Sequence, residues 1–197
     1  MVRRRFGPLA APALSGGFIA FLLLGAQGTI TVSQADAPFD QRFIDMMVPH
    51  HEAAIAMAQI AGESATHAEL RVLADEIIVA QSGEIEQLRA WREEWFGSAD
   101  TPPMEAMPML PGVRMGGELM NGDRMDLRDD VEQLRSAEPF DQAFIDAMIQ
   151  HHGSAIDAAR SALAYSSRDE IRQLAEAIIG AQSREIDELR QWREAWY

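Results

Sequence analysis

FDQRFIDMMVPHHEAAIAMA, residues 39–58, returns as FDQAFIDAMIQHHGSAIDAA, residues 140–159, displaced by 101 positions without a gap. The same displacement maps LADEIIVAQSGEIEQLRAWREEW, residues 73–95, onto LAEAIIGAQSREIDELRQWREAW, residues 174–196. The chain is therefore an internal duplication, with repeat one at 39–96, a connection at 97–139 and repeat two at 140–197.

Each repeat reads as a helical hairpin. Phe43, Met47, His50, Ala54, Met57 and Ala61 recur at helical spacing, and Ile44, Val48, His51, Ile55 and Ala58 line the adjacent stripe. Together they predict a core-facing helix over 39–61, repeated at 140–162. Gly62 and the polar run GESATHAE are expected to end it and turn the chain. A second helix is predicted over 67–95, with Leu70, Leu73, Ile77, Ala80, Glu84, Leu88, Trp91 and Trp95 as its inner stripe. Its counterpart over 168–196 carries Ile171, Leu174, Ile178, Ala181, Glu185, Leu189, Trp192 and Trp196.

A lone hairpin cannot bury so broad an apolar face, so two of them should pack together. The expected fold class is all-α: a ferritin-like four-helix bundle over 36–197, made of two repeated helical hairpins joined by one long crossover. The crossover is rich in Pro and Gly and holds Met104, Met107, Met109, Met115, Met120 and Met125. Two readings of it stand open. It is a flexible connection whose methionines pack on the bundle, or a soft-metal trap, since thioethers favour Cu(I). A short helix is expected near 125–136 (MDLRDDVEQLRS).

The N-terminus has a different character. Arg3, Arg4 and Arg5 precede residues 6–35, which carry no charge, with GGFIAFLLLGA (16–26) at the centre. Residues 1–35 read as a signal peptide or membrane anchor. Ala35-Asp36-Ala37 has the small-x-small form of a cleavage site, although Pro38 is a poor residue after the cut. The uncharged run is also long enough to span a bilayer. The expected location is outside the cytoplasm, secreted or anchored on the outer face of the cytoplasmic membrane. A homo-oligomer is compatible with the sequence.

Composition narrows the chemistry. The formal charge is −14, and every basic side chain is arginine. No basic stripe is present, which argues against nucleic acid as a partner. Cysteine is absent, which excludes disulfides, thiolate metal sites and a lipidated cysteine.

Four of the chain's five histidines fall in two M-x-x-H-H units: Met47, His50 and His51, and Met148, His151 and His152. Residues three and four apart on a helix are neighbours, so each methionine lies beside its histidine pair. Pro49 stands next to His50, where repeat two has Gln150. Glu84 and Glu185 each interrupt an otherwise apolar stripe, three residues after Gln81 and Gln182. Carboxylates are rarely buried without partners. Three roles stay open for them: metal ligand, acceptor of an imidazole proton behind a metal, or partner of an arginine on the neighbouring helix.

The signatures F-D-x-x-F-I-D-x-M-[VI]-x-H-H and A-Q-S-x-E-I-x-x-L-R-x-W, present in both repeats, resemble the family called domain of unknown function 305. That resemblance implies an exported, ferritin-like helical bundle. It also implies a metal ion as partner, copper as Cu(I) or Cu(II), at the Met–His positions, since a copper-binding resistance protein is among the relatives.

Three functions are therefore compared. The first is an extracytoplasmic copper-binding protein that sequesters or hands over the ion and is not an enzyme, with His50, His51, Met47, His151, His152, Met148, Glu84 and Glu185 as candidate metal-site residues. The second is a ferritin-like di-metal carboxylate enzyme. Such sites take Glu-x-x-His from two helices, and here Met47 and Met148 occupy the glutamate places. The third is a structural or interaction module whose histidines are bonded in the core without metal.

Overall fold

Pro38 and Pro139 stand in extended conformation immediately before the first helix of each repeat, where a missing N–H costs no helical bond. The computed structural model of the chain describes residues 37–103, 106–111, 113 and 127–197. It contains α1 (Phe39–Ser64), α2 (Ala68–Phe96), α3 (Leu127–Arg135), α4 (Phe140–Tyr165) and α5 (Asp169–Trp196). Among the described residues there is no strand. The signal or anchor expected over residues 1–35 lies outside the described residues, as do Met104, Met115, Met120 and Met125. Among the described residues no helix is long and apolar enough to cross a membrane.

The core falls into two apolar clusters, and their membership gives the topology. One joins Phe43, Ile44, Met46, Met47 and Val48 of α1 with Ile85 and Leu88 of α2, Ala155, Ala158, Ala159 and Ala162 of α4, and Ile171, Ala175 and Ile178 of α5. The other joins Ala54, Met57, Ala58 and Ala61 of α1 with Leu70, Leu73 and Ile77 of α2, Phe144, Ile145 and Met148 of α4, and Leu189 of α5. The first half of α1 thus meets the second halves of α2 and α4. Each hairpin is antiparallel, and α1 runs antiparallel to α4 through the middle of the bundle. Phe43 and Phe144, equivalent residues of the two repeats, are fully buried in opposite clusters. Removing either to Ala should cost about 3–5 kcal/mol.

The crossover must travel from one end of the bundle to the other, because α2 ends beside the Phe43 cluster and α4 begins beside the Phe144 cluster. That distance is about 39 Å for a helix of this length at 1.5 Å per residue. Leu110 joins the first cluster and Leu134 of α3 the second. Ser161 Oγ donates to Pro111 O at 2.7 Å and fastens the path to α4. The helix expected near 125–136 is α3. Met107 packs against the Phe43 cluster while Met109 is 63% exposed, so the described crossover methionines divide between core and solvent.

Two expectations from the sequence need correction. Gly62 does not end α1, which continues to Ser64. The stop comes from another helix: Asp141, in the first turn of α4, accepts bonds from Thr66 N at 2.8 Å, Thr66 Oγ1 at 2.5 Å and His67 N at 2.9 Å. Asp40 of α1 returns the contact, accepting from Ser166 Oγ at 2.5 Å and Ser167 Oγ at 2.6 Å. The two repeats therefore clasp each other's turns. Each aspartate also sits at the positive end of its own helix.

The inner stripe of α2 is the second correction. Its buried residues are Leu70, Leu73, Ala74, Ile77, Gln81, Ile85, Leu88 and Arg92. Ala80 is exposed, and Trp91 and Trp95 are only half-buried. α5 behaves alike, with Gln182 and Ile186 buried in place of Ala181 and Trp192. The outer helices press on the bundle along a narrow seam, in steps of three and four, so residues such as Ala80 and Trp91, one position away, roll out of it. The tryptophans instead stack in pairs, Trp91 on Trp95 and Trp192 on Trp196. The turn of the other repeat covers each pair: His67 lies flat on Trp196 at 3.7 Å, and Arg168 lies 3.8 Å over Trp95.

Candidate metal centre

A polar layer separates the two apolar clusters on all four long helices. On α1 it is His50 and His51, on α4 His151, His152 and Ser154, on α2 Gln81 and Glu84, and on α5 Gln182 and Glu185. All four histidines are buried, with at most 3% exposure. They sit at the midpoints of α1 and α4, and antiparallel packing brings the two midpoints together. His50 and His151, equivalent residues of the two repeats, face each other with ring centroids 3.8 Å apart.

Pro49 does not break this helix; α1 runs unbroken from Phe39 to Ser64. The ring removes the bond that an N–H at position 49 would make to the carbonyl of Asp45. Repeat two keeps that bond through Gln150.

Each outer glutamate meets the second histidine of its own repeat. Glu84 Oε2 lies 2.7 Å from His51 Nε2, and Glu185 Oε2 lies 2.6 Å from His152 Nε2. The first is a well-aligned hydrogen bond. The second is off the line of the N–H, so the nitrogen stays without a proper acceptor. Of the three roles open for these carboxylates, the arginine pairing is not the one taken. Arg92 and Arg193 pair instead with Asp45 and Asp146 on the inner helices, at 2.6 and 2.8 Å.

His50 Nε2 has Ser154 Oγ at 2.7 Å. Sequence reading missed Ser154, because repeat two departs there from the Ala53 of repeat one. It also passed over the burial of Gln81 and Gln182, each 3% exposed with an unpartnered Oε1. The recurring Q-S-x-E in both repeats was the available signal.

Much of the layer's bonding capacity is unused. His50 Nδ1, His51 Nδ1, His152 Nδ1 and both ring nitrogens of His151 are buried without a side-chain hydrogen-bond partner. Each unsatisfied buried polar atom costs about 1–3 kcal/mol. Burial, reinforced by the neighbouring imidazoles, holds His50 and His151 well below the ordinary histidine range. Both rings are thus neutral near pH 7, the form that binds metal.

Met47 and Met148 are fully buried but belong to opposite clusters, Met47 with Phe43 and Met148 with Phe144. This follows from antiparallel packing. Each methionine lies one turn before its histidines, and on α1 and α4 those turns point to opposite ends. The thioethers therefore flank the imidazole layer from its two sides. Among the described residues no three His, Asp or Glu side chains converge to hold one ion, so the eight expected residues do not form a single carboxylate-rich cage. The donors on offer are imidazole and thioether, a set that fits a soft or borderline transition ion better than magnesium, calcium or manganese.

The chain matches the family model described as Domain of unknown function (DUF305) over residues 40–193. Among solved structures it is similar to CopM in the Cu(II)-bound form, with 39% identity, a TM-score of 0.64 and coverage of 80% of this chain and 97% of that one. CopM in the Cu(I)-bound form matches at 37% identity with a TM-score of 0.63, covering 80% of this chain and 97% of that one. A DUF305 fragment from Deinococcus radiodurans shares the fold at 23% identity, with a TM-score of 0.63 and coverage of 81% and 97%. No curated protein matches the chain significantly. With the family model spanning both repeats, the chain belongs to the DUF305 family.

Proposed function

We propose that this protein binds copper outside the cytoplasm, holding it in the layer between α1 and α4 for sequestration or handover. The observation that carries the reading is the set of buried, unpartnered imidazole nitrogens at the centre of the bundle. A core histidine with a purely structural role would use both nitrogens, or leave one in water. Imidazole binds copper in both oxidation states and thioether favours Cu(I). A layer of the first flanked by the second can keep the ion through a change of oxidation state. The copper-bound forms of CopM, at 37–39% identity, support the same reading.

No bond-making step is part of the proposal; the protein holds and releases an ion. Export is supported by Arg3–Arg5 followed by the uncharged run 6–35. The di-metal carboxylate alternative has little support, because Glu84 and Glu185 meet one imidazole each and Met47 and Met148 stand where that motif needs glutamate.

The deciding experiment measures the metal content of the full chain after growth with copper, zinc, iron and manganese together. Stoichiometric copper is expected, and it should be lost when His50, His51, His151 and His152 are all changed to Ala. Iron or manganese in its place would favour the carboxylate reading. Copper retained at parental affinity by the quadruple variant would return the histidines to a structural role.

A further inference from the structure

The nitrogens of these histidines are not interchangeable, and the hydrogen bonds around them say which carries the proton. Ser154 Oγ donates to the carbonyl of His151 at 2.7 Å. Its only proton is thereby committed, and the oxygen can only accept. His50 Nε2, 2.7 Å from that oxygen, must then be the protonated nitrogen. A carboxylate likewise only accepts, so Glu84 Oε2 at 2.7 Å places the proton of His51 on Nε2. Glu185 Oε2 lies 2.6 Å from His152 Nε2 but off the line of an N–H, so it does not set the tautomer of that ring. In the His50 and His51 rings Nδ1 is left with its lone pair bare, buried and unpartnered. His151 differs. The residue equivalent to Ser154 in repeat one is Ala53, which has no hydroxyl, and no side chain bonds either nitrogen of His151, which has only the His50 backbone for a partner.

We infer that Glu84 and Ser154 are positioning residues that fix the Nε2–H tautomer of His51 and His50, so that copper is taken by the Nδ1 atoms of these two rings. His151 and His152 have no side-chain hydrogen bond that selects a tautomer. The inference rests on the copper reading above and adds the donor atoms, the residues that select them and an inequality between the repeats. The logic is that of a metal-ligating histidine whose other nitrogen donates to a carboxylate. Loss of such a partner typically lowers metal affinity about 10–100-fold.

The test is nitrogen-15 spectroscopy of the histidine rings in the full chain, labelled at histidine and kept at a pH where the rings are neutral. The probes are the metal-free protein and the protein titrated with Cu(I), which is diamagnetic. Without metal, His50 and His51 should show a protonated Nε2 and a bare Nδ1. On titration the Nδ1 signals should move while the Nε2 protons persist. Glu84→Gln, which can donate as well as accept, should give His51 a mixture of tautomers and lower Cu(I) affinity about 10–100-fold. Ser154→Ala, which only restores the residue of repeat one and so should fold, should free His50 alone.

A protonated Nδ1 on His50 and His51 in the metal-free protein would overturn the inference while leaving copper binding intact. So would Cu(I) shifts confined to Nε2, or tautomers unmoved in both variants. Absence of any copper binding would instead overturn the copper reading, with the tautomers judged separately from the metal-free spectrum.

Discussion

His50 and His151 lie ring against ring at 3.8 Å, their planes inclined by 38°, although 101 residues separate them in the chain. A residue of a duplicated fold can touch its own counterpart only beside the axis that relates the two halves. The M-x-x-H-H units therefore face each other at the centre of the bundle. Two imidazoles this close and this deeply buried cannot both be charged, which makes the layer sensitive to acid.

The metal-free protein should lose stability as pH falls below about 6.5, the unperturbed histidine value. Burial depresses the native pKa of His50 and His151, so the unfolded chain binds more protons than the native one. Stability then rises with pH between the depressed native value and about 6.5, by up to about 1.4 kcal/mol per pH unit for each histidine. It is fully present above that window. Urea unfolding at a series of pH values should show this slope, and His151→Leu should reduce it. A flat profile from pH 7 down to 5 would contradict the assignment.

How much of this could be read beforehand depends on the range of the interaction. The duplication, the helices and their pairing into hairpins are local patterns, and FDQRFIDMM and its copy carry them openly. The place where α1 stops was misread at Gly62 because the stop is Asp141, a residue of the other repeat. The seam of α2 was misread because Trp91 and Trp95 look like core while Gln81 looks like surface. Which of them is buried depends on the rotation of a helix about its axis, and that is set by packing on α1. The histidine layer was legible as a cluster, since M-x-x-H-H occurs twice. Ser154 was not legible, because its partner His50 is 104 positions away and its own repeat offers no parallel.

The duplication also supplies an internal control. Arg92 pairs with Asp45 in repeat one, both buried, and Arg193 pairs with Asp146 in repeat two, both partly exposed. Breaking a buried pair strands the remaining charge, which costs about 3–5 kcal/mol. An exposed pair contributes little. Asp45→Asn should therefore destabilise by about 3 kcal/mol or more, and Asp146→Asn by far less. Comparable losses in chemical denaturation would mean that burial does not decide the worth of these pairs.

Asp141 deserves the same treatment at the turn. Burial raises its pKa, but the bonds from Thr66 and His67 outweigh this and hold the carboxyl below its ordinary value. Its contribution is present above about pH 3.9, the unfolded value, and is lost as pH falls through the native one. Asp141→Asn keeps the shape but turns one acceptor into a donor facing other donors. A loss of about 1–3 kcal/mol is expected, with faster amide exchange at Thr66 and His67. Unchanged protection at those amides would show that the turn holds without the clasp.

The methionines give the sharpest separation between copper states. Met47 and Met148 flank the imidazole layer from opposite sides, each fully buried one turn before its histidines. Replacing both with Leu keeps the volume of the core, and such swaps usually cost under about 1.5 kcal/mol. Helicity and cooperative unfolding should therefore survive. What disappears is thioether sulfur, a donor that favours Cu(I) over harder ions. The imidazoles remain, and they serve either oxidation state. Cu(I) affinity should then fall by about tenfold or more, a change of about 1.4 kcal/mol, while Cu(II) affinity stays nearly at the parental level. Competition titrations with chelators specific to each oxidation state would read the two separately. Equal losses for Cu(I) and Cu(II) would indicate a general disturbance of the layer. Unchanged Cu(I) affinity would assign the methionines to packing alone and leave the ion to the histidines.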